Sequence, residues 1–346
     1  MKPVADGSGL RWGVLGTAAV ADTFLAAVRA EGSGEVRAVA SRSRDRAEAW
    51  ASARGVPLAY GSHELLLGSG EVDAVYIPLP NALHGPWTLS ALEAGLPVLC
   101  EKPLAHDLET ARRIQSAADQ AGRIVVEGFM YRHHPVYDTV RQLLDGGVIG
   151  TLRSVTSRFT FVEERPDSSV TRADLGGGAL LDVGCYCVHL SRMVTGREPR
   201  RVAAAEIRRD VDETFMGILE FPGGVLAQFE VSIVSGERHG AELHGTLGTL
   251  RLPRPWVPGT GPVQVIVQRW GEEEQVFSAP GADPWVLQIR DFDQAVREGR
   301  PPRWPLSDAV ANTAVLDALG RAARREDAWT AVEAADGSFE HTDDYD

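Results

Sequence analysis

The sequence predicts an α/β protein in which a doubly wound parallel sheet is followed by an α+β region on an open, mainly antiparallel sheet. Strand-like apolar runs alternate with helical stretches up to about residue 127, the pattern of a parallel sheet with helical crossovers. Beyond about residue 150 the period changes to two, with a hairpin signal at Phe221-Pro222-Gly223-Gly224. At 346 residues the chain also exceeds what one core comfortably holds.

The first strand spans Leu10 to Leu15 and runs into Gly16-Thr17-Ala18-Ala19-Val20-Ala21, where a helix begins. This is a dinucleotide fingerprint of the Rossmann type with substitutions. Gly16 makes the tight turn, Ala18 narrows the approach to a pyrophosphate by one methyl, and Ala21 serves as the small third position. The helix amino terminus offers its unpaired N–H groups to phosphate.

The second strand, Val36 to Ala40, ends in Ser41-Arg42-Ser43-Arg44-Asp45-Arg46. An acidic residue here would accept from a ribose 2′-hydroxyl, whereas a hydroxyl plus a guanidinium suits a 2′-phosphate. Ser41 and Arg42 therefore predict NADP(H) over NAD(H), with Arg44 and Arg46 open to being a solvated basic turn.

Val72 to Leu79 is the next strand, leading into Pro80-Asn81-Ala82-Leu83-His84 and a helix to Ala94. Asn81 or His84 is placed to bond the nicotinamide ribose, and Asn81 equally to cap its helix. Leu96 to Cys100 reads as a buried strand that delivers Glu101-Lys102-Pro103 to the carboxyl edge of the sheet, where ligands bind in such folds. A helix from Leu108 to Ala121 and a strand from Ile124 to Glu127 complete this part.

In the second half, a helix from Pro135 to Asp145 precedes runs at Ser154 to Phe161, Val202 to Arg208, Thr214 to Glu220, Val225 to Ile233 and Ala241 to His244. Between them, Ala179 to Val194 reads as a helix on which Asp182 and Tyr186 lie one turn apart and His189 continues the face. Buried polar groups are costly unless partnered, so such a face points to a site or to a hydrogen-bonded cluster, the latter being the plainer account of His189. Arg165 and Arg172, near the glycine run at 176–178, suit a substrate-contacting loop. Helices near Trp285 to Glu298 and Ser307 to Arg324 follow.

The resulting division is 1–127 for the dinucleotide-binding domain, 128–335 for a substrate-binding and oligomerisation domain, and 336–346 for a disordered acidic tail. The net charge of −13 argues against nucleic-acid binding. Cys100, Cys185 and Cys187 lack disulfide or zinc spacing, so no metal is expected and a reducing, cytoplasmic compartment fits. No apolar stretch is long enough for a membrane span, and the amino terminus lacks a signal-peptide core.

Four segments together resemble the family of glucose-fructose oxidoreductase, inositol dehydrogenase and the rhizopine-catabolism proteins (Gfo/Idh/MocA). They are Glu101-Lys102-Pro103, the run from Gly176 through Asp182 to Tyr186, Pro80-Asn81 with His84, and Glu127-Gly128-Phe129-Met130-Tyr131-Arg132 with Pro135. The resemblance covers Trp12 to about Ala323. It implies that Lys102 is the catalytic lysine, that Lys102-Pro103 is a cis peptide, and that Asp182 and Tyr186 complete the active site. Inositol dehydrogenases have histidine in the last position; Tyr186 is similar to the sugar oxidoreductases, dihydrodiol dehydrogenases, xylose dehydrogenases and nucleotide-sugar ketoreductases. It also implies a homodimer or homotetramer formed through the second sheet.

The expected reaction is reversible hydride transfer between nicotinamide and a carbinol or carbonyl carbon of a sugar-like substrate. Tyr186 exchanges the hydroxyl proton, Lys102 bonds the reacting oxygen, and Asp182 orients Lys102 or a substrate hydroxyl; the alternative within this site makes Lys102 the proton donor and Tyr186 a positioner. A free aldose such as xylose or glucose is the first expectation and a nucleotide-linked keto-sugar the second. A non-catalytic dinucleotide sensor is the alternative from another class.

Overall fold

The computed structural model describes residues 9–165, 167–324 and 329–334, so the expected acidic tail lies outside the described residues. Two compact units are present: Met1–His133 with Asp283–Ala309, and His134–Ala282 with Val310–Asp346. The first unit therefore recruits a later piece of chain, which a single cut near residue 127 does not foresee.

In the first unit, β1 (Arg11–Leu15), α1 (Val20–Glu31), β2 (Glu35–Ala40), α2 (Arg44–Arg54), β3 (Leu58–Tyr60), α3 (His63–Leu67), β4 (Ala74–Ile77), α4 (Asn81–Glu93), β5 (Val98–Cys100), α5 (Leu108–Ala121) and β6 (Val125–Glu127) alternate along the chain. The sheet is parallel throughout, in the order β3-β2-β1-β4-β5-β6. This is the doubly wound Rossmann order, and its topological switch point lies between β1 and β4. Gly16, Ser41, Asn81 and Lys102 follow β1, β2, β4 and β5, so all four stand at the carboxyl edge of one sheet.

The recruited piece is explained by its apolar spacing. Ile289, Phe292 and Val296, at i, i+3 and i+7, join the core of Trp12, Phe24 and Tyr76. Trp12 meets Phe24 edge-on at 5.1 Å and Phe292 at 4.9 Å, and Phe24 stacks on Tyr76 at 4.0 Å. Arg132, 1% exposed, ties the Glu127–Arg132 motif to the same piece. Its guanidinium donates to the Glu127 carbonyl at 2.9 Å and to Asp308 at 2.8 Å, and lies over Trp304.

The second unit holds α6 (Val136–Asp145), β7 (Leu152–Val162), α7 (Cys185–Thr195), β8 (Arg201–Arg208), β9 (Asp212–Phe221), β10 (Val225–Ser232), β11 (Val234–Gly245), β12 (Gly248–Leu252), β13 (Val263–Arg269) and β14 (Gln275–Ala279). Helix α8 (Pro284–Glu298) is the recruited element, and α9 (Leu306–Ala322) and β15 (Thr330–Ala331) close the described chain. The nine-stranded sheet has the order β14-β13-β12-β11-β7-β10-β9-β8-β15. It is antiparallel except where β10 runs parallel to β7, Leu226 opposite Ser154. The hairpin falls where the glycines predict it: Phe221 pairs with Val225, and Gly223 and Gly224 take φ of 82° and 75°. Strands β12 to β14 lie outside the runs read from the sequence, although Val263–Arg269 alternates apolar and polar residues.

One correction concerns the helix carrying Asp182. It is not one α-helix from Ala179 to Val194. Leu180–Gly184 is a π-helix, with the Cys185 N–H reaching back to the Leu180 carbonyl, and α7 begins at Cys185. Asp182 lies in the wide turn and Tyr186 in the first α-turn, so their offset is not the one-turn spacing of a regular helix.

Candidate active site

The Lys102 loop is clamped from three directions within its own unit. The Tyr76 hydroxyl donates to the Glu101 carboxylate at 2.8 Å, and the Leu104 N–H donates to Glu127 Oε1 at 2.8 Å. His84 supplies the third hold, its Nδ1 lying 2.7 Å from the Pro103 carbonyl and its Nε2 2.6 Å from the Leu79 carbonyl. Lys102-Pro103 is cis, and Lys102 is half-buried. Gly128 is required beside this loop, since a Cβ there would stand 3.1 Å from both the Cys100 carbonyl and the Glu101 carboxylate.

This geometry revises the reading of His84. The ring is 1% exposed and both nitrogens face backbone carbonyls, so it holds the loop and does not reach for a ribose. Burial, with the Lys102 ammonium adding to it, pushes its pKa down to about 4. A neutral imidazole has one N–H and donates to one carbonyl at a time. Asn81 is likewise not the cap: Pro80 holds the cap position of α4 and Asn81 is its first helical residue.

At the other turns of this sheet edge the residues fit a dinucleotide. Gly16 has φ of 122° and a Cβ there would meet Leu79, so only glycine makes this turn without strain. Thr17 is half-buried and Ala18 and Ala19 are exposed at the start of α1, leaving its amino terminus open. Ser41 is 5% exposed, its hydroxyl accepting from the Ser43 N–H at 3.4 Å. The basic turn sorts itself by pairing. Arg44 is bonded to Glu48 at 2.7 Å, whereas exposed Arg42 has no hydrogen bond or ion pair among the described residues.

The second unit sets Asp182 and Tyr186 by close backbone approaches. A Cβ on Gly177 would lie 2.3 Å from the Val170 carbonyl, and one on Gly178, whose φ is 118°, 2.0 Å from Asp212 Oδ1. Asp212 in turn accepts from the Leu180 N–H at 2.7 Å, satisfying the first orphan donor of the π segment. Burial raises this carboxyl to about 6. Nothing in the sequence marks Asp212 out, because its role comes from a strand that pairs elsewhere.

Tyr186, half-buried, sits among aromatic rings that sequence reading did not gather. Phe159 lies 5.5 Å from it and Trp256 5.9 Å, and His239 stacks at 4.4 Å on Phe159. Trp256 is fully buried and spends its indole N–H on the Arg158 carbonyl at 3.1 Å. His189 is 1% exposed, in the interior and not on an open face. Arg165 makes a fork to Glu163 at 2.9 and 2.6 Å, and Arg172 a fork to Asp174 at 3.1 and 2.5 Å. The Arg165 guanidinium holds Glu163 down to about 2, and Asp182 is near enough to raise the Arg165 pKa further.

Cys100, Cys185 and Cys187 are free and buried, and burial pushes the Cys187 thiol up to about 12. Among the described residues no group of three His, Cys, Asp or Glu side chains is arranged to hold a metal, and no helix is long and apolar enough to cross a membrane.

Residues 10–129 match the profile of the oxidoreductase family with an NAD-binding Rossmann fold, and residues 137–251 that of the Gfo/Idh/MocA carboxyl-terminal domain. The chain belongs to the Gfo/Idh/MocA family of oxidoreductases. It is 36% identical over 330 residues to a dTDP-3,4-didehydro-2,6-dideoxy-alpha-D-glucose 3-reductase of Actinomadura kijaniata, covering 94% of this chain and 98% of that one. It is 35% identical over 315 residues to a D-xylose 1-dehydrogenase (NADP(+)) of Haloferax volcanii, covering 90% and 96%. The crystal structure of a 3-ketoreductase from Actinomadura kijaniata with NADP and TDP-benzene matches with a TM-score of 0.87 at 35% identity, covering 91% and 98%. That protein has also been crystallised with a tyrosine replaced by phenylalanine and with a lysine replaced by alanine. Membership makes the chain an enzyme of CH–OH oxidation or the reverse reduction.

Proposed function

We propose that this family member is an NADP-dependent dehydrogenase of a neutral polyhydroxylated substrate, with a free aldose oxidised at C1 as its first candidate. The observation that carries the choice is the pairing of Arg165. Its fork partner Glu163, whose side chain is 4% exposed, also accepts from the Ser168 hydroxyl at 2.8 Å and the Arg165 N–H at 3.0 Å, so the fork is locally anchored and a diphosphate would have to compete with Glu163 for Arg165. Arg172, paired in the open with Asp174, is held weakly but stands alone. The loop also carries Glu163, Glu164, Asp167 and Asp174 against these two arginines, a field that disfavours a nucleotide diphosphate.

NADP would be held by the Gly16-Thr17-Ala18-Ala19 turn and the α1 amino terminus, by Pro80, Asn81 and Glu101 at the same sheet edge, and by Ser41 and Arg42 at the 2′-phosphate. When bound, it supplies the hydride acceptor or donor. Tyr186 takes the hydroxyl proton in oxidation and returns it in reduction. Lys102 bonds the reacting oxygen and, as a cation, favours the phenolate; Asp182 orients Lys102 or a substrate hydroxyl. The open face of the second sheet, with a groove of about 520 Å³ lined by exposed Met216 and Ile218, would join a second copy in a homo-oligomer. The buried reduced thiols suit a cytoplasmic enzyme.

A nucleotide-sugar 3-ketoreductase is the second reading, supported by the 36% identical reductase that spans 94% of this chain. A substrate panel separates the two. D-xylose and D-glucose with NADP are expected to turn over; activity confined to reduction of a dTDP-linked 3-keto-sugar would replace the first reading by the second.

A further inference from the structure

Among the rings around Tyr186, His239 alone brings a polar atom that no neighbour uses. It lies on β11, its side chain is 17% exposed, and its ring is tilted 42° over Phe159 at 4.4 Å. Phe159 in turn meets Tyr186 edge-on. Nε2 of His239 lies 3.4 Å from the exposed Glu237 carboxylate, while Nδ1 has no hydrogen bond among the described residues. Burial and the nearby Arg254 guanidinium lower the imidazole pKa and Glu237 opposes them, so at neutral pH the ring can offer Nδ1 as an acceptor or, in its other tautomer, as a donor.

Nδ1 is not among the buried unpaired atoms, so it keeps contact with solvent at the edge of the ring cluster, where a ligand hydroxyl can replace its water. A phenylalanine in this position would stack on Phe159 as well and leave nothing unpaired. Sugars, moreover, are two-faced: their C–H faces pack on aromatic rings while their hydroxyls require partners in the plane of the ring. Phe159 lies between His239 and Trp256, so the half-buried Tyr186 ring would supply the first requirement and Nδ1 the second.

We propose that His239 contacts the substrate and fixes its orientation beside Tyr186 by hydrogen-bonding one of its non-reacting hydroxyls. This rests on the reading of Tyr186 as the active-site phenol and of the substrate as a free polyol. Uniform binding of a remote hydroxyl lowers KM without changing the chemical step, so His239 acts on KM.

The test uses the full chain with NADP, D-glucose and its singly deoxygenated analogues. His239→Phe keeps the stack and removes the nitrogen; it is expected to raise KM for D-glucose about tenfold, the scale of one lost hydrogen bond, with kcat within about threefold of wild type. His239→Gln, which restores a donor and an acceptor, should recover part of that loss. One deoxy analogue should bind the wild type as poorly as D-glucose binds His239→Phe, and should lose nothing further in the variant, the coupling expected of a direct contact. An unchanged KM in His239→Phe, with Tyr186→Phe inactive, overturns the role of His239 alone. Full turnover in Tyr186→Phe, or no turnover of D-glucose by the wild type, overturns the reading beneath it, and the inference falls with it.

Discussion

The Lys102 loop and the Asp182–Tyr186 segment solve the same problem, holding polar side chains in a fixed direction, by different means. Lys102 is held by side chains: Tyr76, His84 and Glu127 each bond the backbone or a neighbour within the loop. Asp182 and Tyr186 are held by backbone, through a π-turn, glycines pressed against a carbonyl and a carboxylate, and one buried acid at the turn's first N–H. Side-chain clamps can be removed one at a time with graded effects. A backbone seat fails as a whole, because a misplaced Cβ has no rotamer to escape into.

The largest expected effect is on Lys102 itself. Lys102→Ala should lower turnover by about 10² to 10⁴, the range for disabling a proton transfer, since the phenol loses the cation that tunes it, while nucleotide affinity stays near wild type. Near-normal turnover would remove Lys102 from the mechanism. A clamp should matter less than what it holds: His84→Ala is expected to lower kcat by about 10- to 100-fold through misplacement of the loop. Its KM for NADP should move little, because its nitrogens face carbonyls; a change confined to that KM would return His84 to the ribose.

Cofactor choice sharpens the contrast between the edge turns. Ser41→Asp with Arg42→Ala should invert the preference for NADP over NAD by deleting an attraction and adding a repulsion, as titration of both nucleotides reads directly. The same experiment on Arg44→Ala should change less than the Ser41–Arg42 change, since that guanidinium already pairs, in the open, with Glu48. Equal affinities in the wild type would mean that Arg42 does not meet the 2′-phosphate.

The smallest effect probes the backbone seat. Asp212, 5% exposed, has its pKa raised by burial from 3.8 to about 6, so its contribution to stability is fully present below about pH 4 and lost as pH rises through about 6. Asp212→Asn keeps an acceptor for the Leu180 N–H and has no charge to bury. Thermal unfolding should therefore show the variant gaining on the wild type between pH 4 and 7, by on the order of 2–3 kcal/mol, and the gap vanishing in acid. A gap independent of pH would mean that Asp212 does not ionise in place.

How much was legible follows from the same contrast. The alternation of βα units announced a parallel sheet and the turn that delivers Lys102, because each unit is local in sequence; the three-residue β3 is too short to register. The run Gly176-Gly177-Gly178 contributes to the family resemblance, but the residues that require glycine there, Val170 and Asp212, lie on either side of it in the chain. The π-turn left no trace in an apolar period, and the grouping of Phe159, Tyr186, His239 and Trp256 draws on two strands, a helix and the loop after β12. Helix α8 read correctly as a helix, but which core it joins was set by Trp12 and Phe24, nearly the whole chain away.

The central claim is that Tyr186 carries the proton and Lys102 tunes it, and the pH dependence of kcat for sugar oxidation tests this most directly. The account predicts a wild-type rate that rises with pH along one limb, a limb absent from the residual activity of Tyr186→Phe and displaced to higher pH in Lys102→Ala, where no cation lowers the phenol. A Tyr186→Phe profile that keeps the wild-type limb, together with its disappearance in Lys102→Ala, would contradict the account and make the lysine the proton carrier.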